Sequence, residues 1–303
     1  MPVNTSGTAK KRPDLASLIV GSRDVREAKI PPQLYYGPRR AGKTVLGATA
    51  SEQWPEDRKA GSGGTTITLE DILWVPFDAG ALDALSGFNV EVENVVNVNA
   101  AFEYYNDNAS AALSLIEEAI ANVLTKNDSI RFVVIDTLSQ LDSQLEAYYH
   151  GVVDDSQTLY RSMLGRHRNF ASFLKTMPAT PIELCHSRLV GEARGKKGDE
   201  ANAKKRDKAA KAAKYFVVPE AEPAITGKGG EIYRANTSIQ GVVLANNNAV
   251  SRALERRVFF RLKDGFEASS RFETVLDTDG KGEEPNLRAI YRKVGYIEES
   301  QNG

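Results

Sequence analysis

Residues Gly37 to Thr44 read Gly-Pro-Arg-Arg-Ala-Gly-Lys-Thr: a glycine, four residues, then Gly-Lys-Thr. Residue types at this spacing bind polyphosphate. The glycines allow a tight path and close backbone approach, so that N–H groups wrap the phosphates. The lysine neutralises β and γ oxygens, the hydroxyl ligates Mg²⁺, and a following helix turns its positive end toward the anion. Those roles fall to Gly37, Gly42, Lys43 and Thr44, with Pro38, Arg39, Arg40, Ala41 and Val45 completing the nucleotide-contact segment. An accidental turn is the competing reading. It is disfavoured by an extended segment, Gln33 to Tyr36, before the loop and a helical pattern, Lys43 to about Trp54, after it. Arg39 and Arg40 could face phosphate, a neighbouring subunit or solvent.

A triphosphate site also needs a second carboxylate near the metal. Asp136 ends the apolar run Arg-Phe-Val-Val-Ile-Asp, and the C-terminal ends of parallel strands are where open α/β sheets bind ligands. Hydrolysis further requires a group that orients or deprotonates water. Asp78, after Trp-Val-Pro-Phe, has a suitable strand-end position, with Asp83 and Glu91 as rivals. His186, after Thr-Pro-Ile-Glu-Leu-Cys, is the candidate polar sensor of the γ-phosphate, although a lone histidine is more often structural.

Placing these groups together takes alternating strands and helices. The runs 72–77, 131–136 and 180–185 predict strands, as does Val-Val-Asn-Val-Asn at 95–99. Residues 108–126 carry apolar side chains at 113, 116, 120 and 124, the stripe of a helix on a sheet, with Asn108 or Ser110 as N-cap. A second long helical pattern spans about 156–176. Strand–helix alternation of this kind implies βαβ units and a mostly parallel sheet. Beyond residue 215 the segments Tyr-Phe-Val-Val, 238–245, 256–263 and 271–276 predict further strands, and a helix closes the chain near 285–296. The expected organisation is a tail and short helix over 1–30, one α/β domain over 31–295, and a C-terminal tail over 296–303.

Of the 303 residues, 41% are hydrophobic and 26% charged, as in an ordinary soluble globular protein. A single cysteine, Cys185, rules out an intramolecular disulfide and suits a reducing compartment, and no apolar run predicts a membrane helix. A cytoplasmic location is therefore expected, with no membrane partner. The formal charge of −1 gives no global attraction to nucleic acid, so any such attraction must come from local clustering. Residues 192–214 provide one: nine Lys/Arg against four Asp/Glu, a net +5 that leaves −6 on the rest of the chain. Arg194, Lys196, Lys197, Lys204, Lys205, Arg206, Lys208, Lys211 and Lys214 could pair with phosphates. A solvated linker is the plain alternative for such a lysine- and alanine-rich run. Its position directly after His186 favours DNA contact instead.

Together these residues resemble a RecA-type P-loop ATPase core, in particular the phage-encoded RecA-like proteins that promote single-strand annealing. The Ala81-Leu82-Asp83 triplet is similar to that family's, with Asp78 standing where the family has a catalytic Glu. Val-Val-Ile-Asp-Thr-Leu-Ser-Gln-Leu resembles its magnesium strand, and Cys185-His186 occupies the place of an Asn-Gln sensor. The basic insert follows where the family has a mobile DNA-binding loop. Tyr148 and Tyr149 lie in the stretch of its other DNA loop, where base stacking and core packing are both open. Arg256 to Gly265 resembles the strand whose paired cations reach a neighbouring protomer's nucleotide, the matching residues being Arg261 and Lys263.

What the resemblance implies is a RecA-like core, mostly parallel with antiparallel strands toward the C-terminus. The implied function is an ATP- and Mg²⁺-dependent ATPase that binds single-stranded DNA and acts as a filament or ring in annealing or strand exchange. A single-strand-binding protein is a candidate further partner. The host cytoplasm is the implied location if the chain is phage-encoded. Two alternatives use the same loop: a kinase of a small molecule or nucleotide, and a nucleotide-gated assembly protein with little turnover.

Overall fold

The computed structural model describes residues 30–37, 40–55, 64–78, 80–106, 108–189, 217–219, 239–247, 254–263, 272–273 and 286–297. Most of the expected N-terminal tail and the whole basic insert lie outside the described residues. Pro31–Gly303 forms one compact unit.

The fold is α/β. Strands β1 (Gln33–Gly37), β2 (Ile67–Pro76), β3 (Val90–Val95), β4 (Phe132–Asp136) and β5 (Thr180–Leu189) make the parallel body of the sheet in the order β3-β2-β4-β5-β1. On the far side of β1 comes β7 (Ile239–Asn247), parallel to it, then β8 (Leu254–Lys263) and β9 (Phe272–Glu273), each antiparallel to its predecessor. Past His186, β5 also pairs antiparallel with β6 (Val217–Pro219).

Period-two alternation sorts the strand side chains onto two faces. Leu34, Tyr36, Leu73, Val75, Val133, Ile135 and Cys185 point to one face. They form a single core with α4 (Ala109–Lys126), α5 (Leu138–Val152) and α6 (Ser156–Thr176) through residues such as Ile116, Leu141 and Phe170. Each such fully buried side chain contributes about 1.5–3 kcal/mol. Trp74, Val134 and Leu184 point the other way, toward α1 (Lys43–Ala48). A Cβ on Gly47 would lie 3.2 Å from Val134 and 3.5 Å from both Leu184 and Trp74, so glycine is what lets α1 lie this close to the sheet.

The same face is closed by α7 (Leu287–Val294). Asn286 caps it by accepting from the Ala289 N–H. Tyr291 stacks on Phe132 with ring centroids 6.1 Å apart and donates its hydroxyl to Gln33 at 2.8 Å. Thr49 accepts from the Leu287 N–H, which ties the helix to the end of α1.

Several sequence expectations need correction. The helix after the loop stops at Ala48 rather than continuing to Trp54, because Thr49 donates its hydroxyl back to the Leu46 carbonyl and Ser51 donates to Asp71. Residues 95–99 are not a strand. The β3 strand ends at Val95, and Asn97 accepts from the Ala100 N–H to start α3 (Val98–Tyr104). The helix α5 was not foreseen. Thr137 caps it from the extended region, and its stripe Leu138, Leu141 and Leu145 is fully buried.

One buried group stands out chemically. Glu183 on β5 is 1% exposed, level with Leu34 on β1 and Ile135 on β4, and its Oε2 has no hydrogen-bond partner. Burial alone pushes its carboxyl well above the ordinary value of 4.5. A raised folded-state value means that the unfolded chain releases this proton first. Stability is thus full below 4.5 and is lost progressively as pH rises above it. Glu183→Gln removes the titration. Thermal melts across pH should show no gap between variant and wild type in acid, and a gap favouring the variant that widens above about pH 4.5. A gap independent of pH would refute the assignment.

Candidate functional site

The strand alternation and register bring the chemistry-bearing residues to one edge. Gly37 ends β1 level with His186 on β5, while Asp136 ends β4 level with Leu184, two residues short of that histidine. Asp136 shares the α1 side of the sheet with Val134, and His186 shares it with Leu184. Beyond Gly37 the chain turns back into α1. Arg40 and Gly42 take positive φ angles of 63° and 93°, the second supplied by a glycine, which adopts that region without a Cβ penalty.

These elements enclose a cavity of about 310 Å³ lined by Arg40, Lys43, Thr44, Asp78, Asp136 and His186. Ala84 and Phe88, from α2 (Asp83–Ser86) and the turn after it, form another part of the wall. Lys43 is buried, with its ammonium donating to the Gly37 carbonyl at 3.1 Å. Thr44 donates its hydroxyl to Asp136 Oδ2 at 2.8 Å. Asp78 is exposed, and two backbone bonds fix its position: its N–H donates to the Asp136 carbonyl, and its Oδ1 accepts from the Gly80 N–H. The Asp136–Thr137 peptide bond is cis.

Asp136 is 2% exposed. Burial pushes its carboxyl up to about 6, while the Thr44 hydrogen bond and the Lys43 charge pull it down and the Asp78 charge adds to the rise. Removal from water therefore outweighs a direct hydrogen bond and a nearby ammonium. The result is a carboxylate held at a cost, which a bound cation would relieve.

A buried ammonium, a hydroxyl and a carboxylate converging on one cavity can hold an anion together with a divalent cation. Thr44 and Asp136 are the residues placed to ligate the cation. Among the described residues no group of three or more His, Cys, Asp or Glu could hold a metal by itself. A Mg²⁺ here would complete its shell with water and phosphate oxygens, as this ion commonly does.

No protein-family model and no curated protein matches the chain. The assignment of its site thus rests on residues and geometry.

Of the residues singled out from sequence, Gly37, Arg40, Ala41, Gly42, Lys43, Thr44, Val45, Asp78, Asp136 and His186 lie at this edge or in the segment that forms it. Pro38 and Arg39 lie outside the described residues, as do the basic-insert residues Arg194, Lys196, Lys197, Lys204, Lys205, Arg206, Lys208, Lys211 and Lys214. Asp78 lines the cavity, and its rivals Asp83 and Glu91 do not. Arg261 and Lys263 are not brought to it. Arg261 is level with Gln240 on β7, which is level with Leu34, so β8 carries both residues toward the opposite end of the sheet. Tyr148 and Tyr149 pack edge to face, 5.0 Å apart, and are partly buried against the core.

Four site residues were not foreseen as such. Thr137, Ala84 and Phe88 line the cavity, and Ser139 stands behind it, accepting from the His186 N–H at 2.8 Å. Thr137 had a signal in the hydroxyl after Asp136. The contact from Ser139 spans 47 positions and has no local signature.

The raised Asp136 carboxyl predicts a pH effect whose sign follows from linkage. Its proton is held more tightly folded than unfolded, so the contribution to stability is full below 3.8 and is lost as pH climbs through about 6. Above that, metal-free Asp136→Asn should exceed wild type by roughly 3 kcal/mol, with no difference in strong acid. Denaturant melts at several pH values check this, and equal stability near neutrality would refute it. A divalent cation held by Asp136 would add stability that strengthens as pH rises through about 6, because it needs the ionised carboxylate.

Proposed function

We propose that this protein is an ATP- and Mg²⁺-dependent RecA-like ATPase that binds single-stranded DNA and acts as an oligomer in annealing or strand exchange. The observation that carries the reading is the convergence of Lys43, Thr44, Asp136 and His186 on one cavity, with His186 on a strand that continues beyond the sheet. Lys43 neutralises the β and γ phosphates. Thr44 and Asp136 arrange Mg²⁺. Asp78, exposed at the cavity wall, orients water, and His186 meets the terminal phosphate.

The link to DNA rests on strand β5. Three residues past His186 the strand ends at Leu189, paired with Val217 of β6. The chain between them, residues 190–216, leaves and returns at adjacent backbone positions and contains the basic run. His186 and the point from which the cationic segment departs thereby lie on one continuous strand, which supports a coupling between nucleotide state and grip on DNA. Arg261 and Lys263, at the end of the sheet opposite this chain's own cavity, suit the expectation that they serve a neighbouring protomer.

The test is ATP turnover with and without single-stranded DNA. Turnover should rise with DNA, and Lys43→Ala should lower it on the order of 10²-fold. Turnover indifferent to DNA would refute the reading. Nucleotide binding with negligible turnover would instead favour a gated assembly protein, the alternative that the short, solvent-exposed Asp78 at the base position supports. Deleting 194–214 should weaken DNA binding and flatten its salt dependence, since each lost phosphate contact removes about 0.7 from the logarithmic slope on single strands. Unchanged binding would place the DNA site elsewhere.

A further inference from the structure

Ser139 is buried in the first turn of α5, yet its hydroxyl takes no part in capping that helix. Thr137 serves as the cap, accepting from the Gln140 N–H. The Ser139 Oγ turns instead toward β5, where it accepts from the His186 N–H at 2.8 Å and lies 3.3 Å from Cys185 Sγ. The strand register explains why an acceptor is needed there. Pairing of β4 with β5 stops at Asp136, level with Leu184, because the chain turns into α5. His186 is two residues further along, so on that side its N–H has passed the end of the neighbouring strand. On the other side β1 still accompanies it, with Gly37 level with His186. Ser139 Oγ stands in for the missing carbonyl and prolongs the β4–β5 ladder by one bond.

We propose that Ser139 is a positioning residue for His186, holding the imidazole at the terminal-phosphate end of the cavity and thereby setting the preference for triphosphate over diphosphate. The inference rests on the nucleotide reading above. The side-chain direction follows from the strand. With the backbone of residue 186 fixed on both sides, alternation sends Cys185 to the α5 face and His186 to the α1 face, where the cavity lies. Losing one acceptor frees the strand end that carries the imidazole and leaves Lys43, Thr44 and Asp136 where they are. The effect should therefore fall on the last phosphate alone.

The experiment compares ATP and ADP affinities with Mg²⁺ for wild type, Lys43→Ala, Ser139→Ala, Ser139→Thr, His186→Ala and the Ser139→Ala/His186→Ala double variant. Thermal melts confirm that each is folded. Ser139→Ala should weaken ATP by roughly three- to tenfold, the worth of one net hydrogen bond, and leave ADP unchanged. Ser139→Thr, which keeps the hydroxyl, should restore the ratio. In the His186→Ala background, Ser139→Ala should add no further loss, because the two act through one contact. Equal weakening of ATP and ADP, an unchanged ATP affinity, or the same loss without His186 would each overturn the proposal. Should wild type bind neither nucleotide, or bind both regardless of Lys43→Ala, the nucleotide reading falls, and this inference falls with it. Because ADP binding that depends on Lys43 survives the first kind of failure and not the second, the two are distinguishable.

Discussion

The hydrogen bond from Thr44 to Asp136 joins residues 92 positions apart and is the contact around which the rest of the site is arranged. It forms only if β1 and β4 end at the same edge of the sheet, and if α1 turns back over them closely enough for its first residues to reach a strand end. Gly42 supplies the turn and Gly47 the close approach. The strand β5 lies between β1 and β4 and keeps them in register, and so delivers His186 to the same cavity. A slip of one residue in any of these strands would send the functional side chain to the α4–α5–α6 face.

The electrostatics follow from that placement. The site concentrates a buried ammonium beside a buried carboxylate, and desolvation still wins at Asp136. Such a pair is poorly compensated by itself, and a ligand that brings its own opposite charges, such as a phosphate with a divalent cation, would complete it. Glu183 poses the opposite problem. It is buried in the neighbouring strand β5, where desolvation acts without an opposing charge, so it is held in the neutral form. Within four residues β5 thus carries an acid kept protonated by the core and an imidazole facing the cavity.

Much of this was legible in the chain because the relevant signals are local. The Gly-Lys-Thr loop, the apolar run into Asp136, the stripe of α4 and the Asn108 cap all declare themselves within a few residues. The failures share a cause: side chains that choose between backbone and long-range partners. Thr49 and Ser51 shorten α1 by bonding back to the helix and across to Asp71, twenty residues away. Asn97 converts a Val-Val-Asn-Val-Asn pattern with good strand propensity into a helix start. In α5 the apolar residues are interleaved with Ser, Gln, Asp and Tyr, and only docking against β5 and α6 shows which face is buried. The role of Ser139 depends on where β4 happens to end, a property of register that no window of sequence contains.

On the proposed reading, strand ends explain how the site connects to the points where the chain enters and leaves the basic segment. A parallel strand at the centre of a sheet is normally finished where its neighbours finish, since beyond that point its backbone groups lose their partners. The strand β5 runs past β4 by several residues, and three devices satisfy the overrun: Gly37 at the end of β1 on one side, the Ser139 hydroxyl on the other, and then β6 pairing with Ser187, Arg188 and Leu189. A strand kept regular beyond the sheet edge is stiff, and a stiff connection transmits a displacement where a loop would absorb it. A shift of His186 on gaining or losing a terminal phosphate would therefore be carried to the point where residues 190–216 depart. Had the chain left the sheet at Cys185, the same displacement would have to pass through a loop before it reached residue 190.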